Sequence, residues 1–162
     1  IKYALEDEHV FITRTFSKLF SMAGCRLGYV VGWPVGVKMV QKMCTPHNTN
    51  AFAMKFAETI LTMPGMLDLL IKSFADGRRY LIDWLDANDY PHKGEAGNFI
   101  FIKPKTDAQT IVDRMKAEKK ILIKTYSNVG NYGDCLRVSI GERKYMEQFT
   151  EALKELDCRP SM

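Results

Sequence analysis

Two short apolar runs lie near the start of the chain, at residues 9–13 and 27–32. Each is brief and rich in β-branched or aromatic residues, and Pro34 stops the second, so each predicts a short buried strand. Residues 14–26 between them are polar and contain glycine, which is typical of a loop that carries functional residues. Because no other strand lies nearby in sequence, these two indicate a piece of a larger sheet.

Helical spacing dominates the middle of the chain. A turn-rich stretch at residues 45–50 leads into a predicted helix at residues 51–62. Pro64-Gly65 breaks that pattern, and a longer predicted helix follows as far as Asn88. The apolar stripe of the longer helix comprises Leu67, Leu70, Ile71, Phe74, Leu81, Trp84 and Leu85.

The last third of the chain reads as strand, helix, strand, strand, helix. Thr106 or Asp107 is expected to cap the first of these helices, and the second is predicted at residues 142–156. This order is typical of a compact two-layer α/β module with helices against a small sheet. The strands are predicted at residues 98–102, 121–124 and 135–140. The inner face of the last helix is expected to comprise Tyr145, Met146, Phe149, Leu153 and Leu156.

Composition narrows the class of protein. The chain has 162 residues, of which 46% are hydrophobic and 26% charged, so it fits about one globular domain and is not disordered. No apolar run approaches the roughly 18 residues of a membrane span, and the net charge of +4 is dispersed, so neither a membrane nor nucleic acid is an expected partner. The cysteines are scattered and form no CxxC pair, and the histidines lack the spacing of metal ligands, which argues against a metal site. The cysteine pattern also argues against a disulfide framework and favours a location in the cytoplasm. The start at Ile1 rather than Met indicates a fragment.

One segment carries recognisable chemistry. Thr15-Phe16-Ser17-Lys18 is followed, eight positions after the lysine, by Arg26, within the string T-F-S-K-x7-R-x-G-Y. This string resembles the cofactor-lysine segment of fold-type I pyridoxal-phosphate (PLP) enzymes, the class I and II aminotransferases. The resemblance implies that Lys18 is the catalytic lysine, which forms a Schiff base with PLP, and that Thr15, Ser17 and Arg26 bind the cofactor phosphate. Hydroxyls and a bidentate guanidinium suit such a dianion.

A second match lies near the end of the chain. Residues 135–141 resemble the L-R-[IV]-S-[IV]-G strand of the same family, whose arginine binds the substrate carboxylate, and here that arginine is Arg137. Thirteen residues earlier, where histidinol-phosphate aminotransferases have an arginine for the substrate phosphate, this chain has Lys124. A lysine keeps the charge but loses the bidentate fork. A phosphorylated substrate remains compatible with this site, whereas the case for histidinol phosphate itself is weakened.

Two shorter matches complete the resemblance. Residues 46–50 resemble P-[YF]-N-[VT]-[NS], and residues 95–99 resemble E-A-N-F. The resemblance thus covers about residues 8–157 and comes nearest to the histidinol-phosphate aminotransferases. It implies the C-terminal part of a fold-type I PLP enzyme, with the last strands and cofactor-lysine loop of the large domain followed by a two-layer small domain. The expected boundaries are 1–50 for the large-domain piece, 51–88 for connecting helices and 89–162 for the small domain.

The resemblance also implies an activity. It points to a PLP-dependent transaminase of amino-acid biosynthesis that moves an amino group between an amino donor, phosphorylated or not, and a 2-oxo acid, and that works as a homodimer. The family's residues around the cofactor ring lie upstream of its lysine, so this chain alone is expected to be inactive. Two alternatives stay open: a PLP-dependent decarboxylase of the threonine-phosphate type, and the PLP-sensing half of a transcription regulator.

Overall fold

The computed structural model describes most of the chain as two compact units. The first unit is Ile1–Leu70, and the second begins at Ile71. No helix among the described residues has the length and apolar character needed to cross a bilayer. The described ranges are residues 1–45, 48–94 and 96–158. Three residues of the motifs at 46–50 and 95–99 lie outside the described ranges, namely Pro46, His47 and Glu95.

The first unit is built around a two-stranded antiparallel sheet. After the short helix α1 (Lys2–Glu6), strands β1 (Phe11–Thr15) and β2 (Gly28–Gly32) pair along their full length. Both predicted strands are therefore confirmed, although β1 begins two residues later than expected. Ile12 and Val31, which lie opposite each other in the ladder, are only half-buried.

A helix that the sequence pattern did not predict follows β2. Helix α2 (Pro34–Lys42) has Trp33 at its N-cap position, without a hydrogen bond from the side chain, and Pro34 lies in its first turn. Proline is tolerated at that position because its missing N–H has no partner there in any helix. In the sequence, Pro34 indicated only the end of a strand. Gly36 and three valines also lower the helix propensity of the segment and hide its periodicity.

Helix α3 (Ala51–Thr62) has the bounds that the sequence predicts. The Oδ1 atom of Asn50 accepts hydrogen bonds from the backbone N–H groups of Phe52 and Ala53, at 2.9 and 3.2 Å. Such a cap satisfies two of the N–H groups that a helix leaves unpaired at its start. The cap explains why the helix begins at residue 51.

Helix α4 (Met66–Ala87) confirms the long predicted helix. Its apolar stripe is only partly buried. Leu81 and Leu85 are fully buried, whereas Leu67 and Ile71 are 39% and 50% exposed. The stripe therefore contributes to a core in its second half and leaves apolar surface exposed in its first half.

The second unit is a four-stranded antiparallel sheet with helices against one face. Its strands are β3 (His92–Lys93), β4 (Phe99–Ile102), β5 (Lys124–Tyr126) and β6 (Cys135–Ser139), in the order β3-β4-β6-β5. Helix α5 (Ala108–Arg114) continues into a wider π-helical turn at Met115–Lys119. The Oδ2 atom of Asp107 caps the start of α5 by accepting from the Thr110 N–H at 2.7 Å. The α/β two-layer arrangement predicted for this region is confirmed. Helix α6 (Arg143–Leu156) follows β6 and is the last element.

The two faces of this sheet have different surroundings. One face packs against the helices and is almost completely buried. Side chains along β4 and β6 point alternately to the two faces, and those on the other face are partly exposed. The buried face carries Ile100, Ile102, Leu136 and Val138. The partly exposed face carries Phe99, Phe101 and Arg137.

One position on α6 differs from the prediction. Tyr145 is 51% exposed, whereas Met146 and Phe149 are buried in the core. Residues 146, 149, 153 and 156 recur at intervals of three and four, so they form one continuous stripe. Tyr145 precedes Phe149 by four residues, about 40° around the helix, so it lies on the same side as the stripe. It is exposed in the first turn of α6.

Candidate cofactor and substrate site

The loop that carries Lys18 is closed by backbone hydrogen bonds. Just beyond the end of the β1–β2 ladder, the Phe16 N–H donates to the Leu27 carbonyl at 3.1 Å. The Met22 N–H then donates to the Phe16 carbonyl at 3.0 Å, and the Ser21 N–H donates to the Lys18 carbonyl at 2.9 Å. These bonds place Lys18 in a tight turn at the tip of the sheet.

Strand alternation separates the apolar and polar residues of this loop. Phe16 and Leu27 are 6% and 7% exposed, and they pack with Ala53 and Ala57 of α3 in a small core. Neighbouring residues in an extended chain point to opposite faces. Thr15 and Ser17, which flank Phe16, accordingly point away from that core. The ladder ends at the pair Thr15–Gly28, and Arg26 lies two residues before Gly28 in the returning arm of the loop.

The two hydroxyls of the site are held together. The Thr15 hydroxyl donates to the Ser17 Oγ atom at 2.8 Å, and the Ser17 N–H donates to the Thr15 Oγ1 atom at 3.0 Å. The Ser17 hydroxyl proton is therefore free to donate to a further acceptor. Thr15 is exposed and Ser17 is half-buried, so an incoming anion has access to both.

Arg26 has a constrained backbone and an accessible side chain. Its φ of 51° lies in the left-handed region, as does the φ of 56° at Ser21. Such conformations cost on the order of 1 kcal/mol or more for residues other than glycine and are concentrated at ligand-binding sites. One guanidinium nitrogen donates to the Ala23 carbonyl at 3.1 Å, which leaves the other donors available.

The Lys18 amine is exposed. Within the described ranges its side chain makes no ion pair and no hydrogen bond, so the amine is open to reaction with a carbonyl group. The donor set of this loop is therefore two adjacent hydroxyls, one guanidinium and one unpaired amine. That set fits PLP, whose phosphate needs the first three groups and whose aldehyde needs the last.

The two candidate substrate residues face each other in the second unit. Lys124 on β5 pairs directly with Arg137 on β6, so both side chains project from the same face of the sheet. Like charges in such cross-strand pairs destabilise a sheet. In the part of the chain that the structure describes, neither cation forms an ion pair with a carboxylate. Two uncompensated cations at this spacing are well suited to binding an anion.

The aromatic residues around Arg137 were not identified from the sequence. The guanidinium carbon of Arg137 lies 4.0 Å from the centre of the Phe99 ring and 5.9 Å from the centre of the Tyr126 ring. Phe101 contacts both rings, edge to face. The alternation of phenylalanine and isoleucine at residues 99–102 is the signal that could have found them, because it assigns both phenylalanines to one face.

Sequence comparison relates the chain to known aminotransferases. The sequence profile described as aminotransferase class I and II matches residues 3–153. Histidinol-phosphate aminotransferase 2 of Nitrosococcus oceani is 36% identical over 156 residues, which cover 93% of this chain and 42% of that protein. Histidinol-phosphate aminotransferase of Moorella thermoacetica is 29% identical over 148 residues, which cover 91% of this chain and 38% of that protein. The chain thus spans well under half the length of these relatives.

Solved structures share the fold. Histidinol-phosphate aminotransferase from Sinorhizobium meliloti, solved in complex with pyridoxal-5'-phosphate, matches with a TM-score of 0.81 at 23% identity, over 96% of this chain and 43% of that one. L-threonine-O-3-phosphate decarboxylase from Porphyromonas gingivalis matches with a TM-score of 0.72 at 20% identity, over 95% of this chain and 48% of that one. These two likenesses concern the fold alone, and that fold is common to a transaminase and a decarboxylase.

Proposed function

The chain belongs to the aminotransferase class I and II family, and on this basis we propose that it supplies the cofactor-lysine loop and the substrate-binding strands of a PLP-dependent transaminase. The observation that carries the proposal is the donor set at the tip of the β1–β2 sheet. A hydrogen bond joins the Thr15 and Ser17 hydroxyls, and the bond between Phe16 and Leu27 holds Arg26 in the returning arm of the same loop. The Lys18 amine has no partner among the described residues.

The residues of this loop would bind different parts of the cofactor. The hydroxyls of Thr15 and Ser17 and the guanidinium of Arg26 bind the phosphate and so fix the position of the ring. When bound, PLP supplies an electron-withdrawing ring that stabilises negative charge on the substrate. Lys18 would hold the cofactor between turnovers, and its free amine would take a proton from the substrate Cα atom and deliver it to the C4′ atom of the cofactor.

The second unit binds the substrates. Arg137 forms parallel hydrogen bonds to the carboxylate that an amino acid and a 2-oxo acid both carry. Lys124 attracts the distal anionic group of a phosphorylated donor. The direct pairing of these two residues on one face of the sheet supports this division, because one ligand with two anionic groups can reach both cations. Because histidinol-phosphate aminotransferases are among the relatives, we propose a phosphorylated amine as the donor and a 2-oxo acid such as 2-oxoglutarate as the acceptor.

A homodimer in the cytoplasm is the assembly that we propose. All four cysteines are free, as expected in a reducing compartment.

The first unit exposes large apolar side chains in numbers that monomers seldom leave uncovered. Those more than half exposed in α2 and α3 are Val35, Met39, Phe52, Met54, Phe56 and Leu61. Sedimentation of the full-length protein as a monomer at micromolar concentration would contradict the proposed dimer.

Trapping of the cofactor tests the role of Lys18. The full-length protein that contains this chain is incubated with PLP, reduced with borohydride and digested, and the modified peptide is identified by mass. We expect the label on Lys18, a visible absorption band before reduction, and the loss of both in Lys18→Ala. Lys38→Ala is the matched control, because Lys38 is another exposed lysine of the first unit. A label on another lysine, or a band that persists in Lys18→Ala, would refute the assignment.

The chain by itself should not form this linkage. The residues that stack on the ring and pair with its nitrogen in the family precede the lysine, and this sequence holds no equivalent upstream of Lys18. At micromolar PLP we therefore expect no visible band from the 162-residue chain. A band at that concentration would show that the loop alone is competent.

A phosphoamino-acid decarboxylase is the second candidate, since the Porphyromonas decarboxylase has the same fold. In that reaction Arg137 would orient the carboxylate that leaves as CO2. Measurement of CO2 release and of amino-group transfer, with the same phosphorylated amino acid, separates the two reactions.

A further inference from the structure

Arg137 lies on a cluster of three aromatic rings on the partly exposed face of the second sheet. The rings of Phe99 and Phe101 meet edge to face at 5.2 Å between centres, and those of Phe101 and Tyr126 meet in the same way at 5.6 Å. The guanidinium carbon lies 4.0 Å above the Phe99 ring. That is van der Waals contact between a planar cation and the face of a ring.

Strand register explains how the rings reach the arginine. Phe101 and Lys124 lie directly opposite Arg137 on the two neighbouring strands. Phe99 is two residues from Phe101, and Tyr126 is two residues from Lys124, so both occupy diagonal positions on the same face. Diagonal neighbours in an antiparallel sheet are within reach of long and aromatic side chains. Tyr126 is more distant, at 5.9 Å, and Phe99 therefore makes the principal contact.

We propose that Phe99 is a positioning residue for Arg137 and holds the guanidinium flat on the sheet with its N–H edge presented to the anion. The proposal rests on the substrate role proposed above for Arg137. Within the described ranges no carboxylate pairs with Arg137, so its ring contacts are the interactions that orient the side chain. Lys124, on the opposite side, repels the guanidinium and cannot hold it.

The stacked arrangement has a chemical advantage over an ion pair. A ring contacts the face of the guanidinium, whereas a carboxylate contacts its edge. The stack therefore orients the group without occupying any of its five N–H donors. A carboxylate that arrives can then form two parallel bonds with little further loss of side-chain freedom, which improves affinity. Phe99 would thus act through Arg137 on the affinity for the anion and not on the proton transfer at Lys18.

Anion titration of the chain tests this role without the cofactor. The isotopically labelled chain is titrated with 2-oxoglutarate, and the Nε–H signal of Arg137 is followed by NMR. We expect Phe99→Leu to raise the dissociation constant by roughly five- to thirty-fold, which corresponds to about 1–2 kcal/mol for a half-buried to desolvated cation–π contact. Phe99→Tyr keeps a ring at the same place and should stay within about twofold of the unmodified chain, since the π face is retained.

Phe101→Leu is the matched control. Phe101 belongs to the same ring cluster and the same face, but its ring does not lie under the guanidinium. Its replacement should leave the dissociation constant within about threefold, since only an indirect packing contact is lost. Thermal unfolding of each variant shows whether the fold is intact.

Each outcome bears on a different claim. If 2-oxoglutarate shifts the Arg137 signal but Phe99→Leu binds as well as the unmodified chain, or if Phe101→Leu loses as much affinity, the positioning role is wrong and the proposed function stands. If 2-oxoglutarate does not shift the Arg137 signal, or if Arg137→Ala binds it equally well, the substrate role of Arg137 is wrong and the positioning role falls with it. The trapping of PLP at Lys18 is independent of both results.

Discussion

Replacement of Lys124 by alanine should change stability and substrate binding in opposite directions. Lys124 is exposed and lies directly opposite Arg137, so the two positive charges repel each other in the free protein. A cross-strand pair of like charges costs about 0.2–1 kcal/mol. Lys124→Ala should therefore raise the free energy of unfolding by up to about that amount at low ionic strength. The gain should vanish in about 1 M salt, where screening extends over only about 3 Å.

The same replacement should weaken a phosphorylated donor. A hydrogen bond to a charged group contributes about 1.5–3 kcal/mol. We therefore expect the affinity for a phosphorylated donor to fall by roughly ten- to 150-fold, since each 1.4 kcal/mol is a factor of ten. An unphosphorylated donor should be affected little, because it has no group at the lysine.

Two measurements check this pair of effects. Urea unfolding of the chain at low and high salt gives the stability change, and single-turnover kinetics of the full-length protein with each donor give the binding change. Lys93→Ala is the control, because Lys93 is an exposed lysine on the same face of the sheet, opposite Phe101. Equal losses with both donors would mean that Lys124 is structural and that the substrate need not carry a phosphate. A loss of stability would refute the repulsion.

Three further predictions concern the second unit. Gly77→Ala should lower the free energy of unfolding by about 1–3 kcal/mol in urea titration, because the new Cβ atom would lie 2.0 Å from the Gly141 carbonyl oxygen; a variant at least as stable as the parent would contradict this. Arg137→Ala should slow both half-reactions of the full-length protein when both partners carry a carboxylate, but only the 2-oxo-acid half when the donor is histidinol phosphate, as single-turnover kinetics would show. Hydrogen bonds from the backbone N–H and hydroxyl of Thr110 lower the pKa of Asp107, so the stability that this cap contributes is present above the ordinary carboxyl pKa and is lost as the pH falls through the lowered one. Asp107→Ala should therefore show a shallower loss of stability in acid than the parent chain, and identical acid profiles would rule this out.

The sequence predicted those elements whose ends are decided locally. Helix α3 begins where Asn50 caps it and ends before Pro64-Gly65, and both signals are visible in the sequence. The strand predicted at 121–124 was displaced, since β5 is Lys124–Tyr126. The ends of β5 are set by which of its residues pair with β6, and the residue types along β5 alone do not specify that pairing register.

The candidate site, like the fold, was predicted only where the local sequence decides it. The string around Lys18 identified the residues of the cofactor loop because their chemistry is specific. The left-handed backbone of Arg26 was not predictable, because the residue types of a loop do not specify a left-handed conformation at an arginine. The contact between Phe99 and Arg137 joins residues far apart in the chain and depends on the pairing of β4 with β6.

Transfer of a labelled amino group is the most direct test of the central claim, that this chain belongs to a working transaminase dependent on Lys18. The full-length protein, loaded with PLP, is given a 15N-labelled phosphorylated amine and 2-oxoglutarate, and the products are measured by mass spectrometry. We predict 15N-labelled glutamate from the unmodified protein and none from Lys18→Ala. Release of CO2 from a phosphorylated amino acid without labelled glutamate would indicate a decarboxylase instead. Bound PLP with no turnover of any donor would indicate a sensor, and either result would contradict the account.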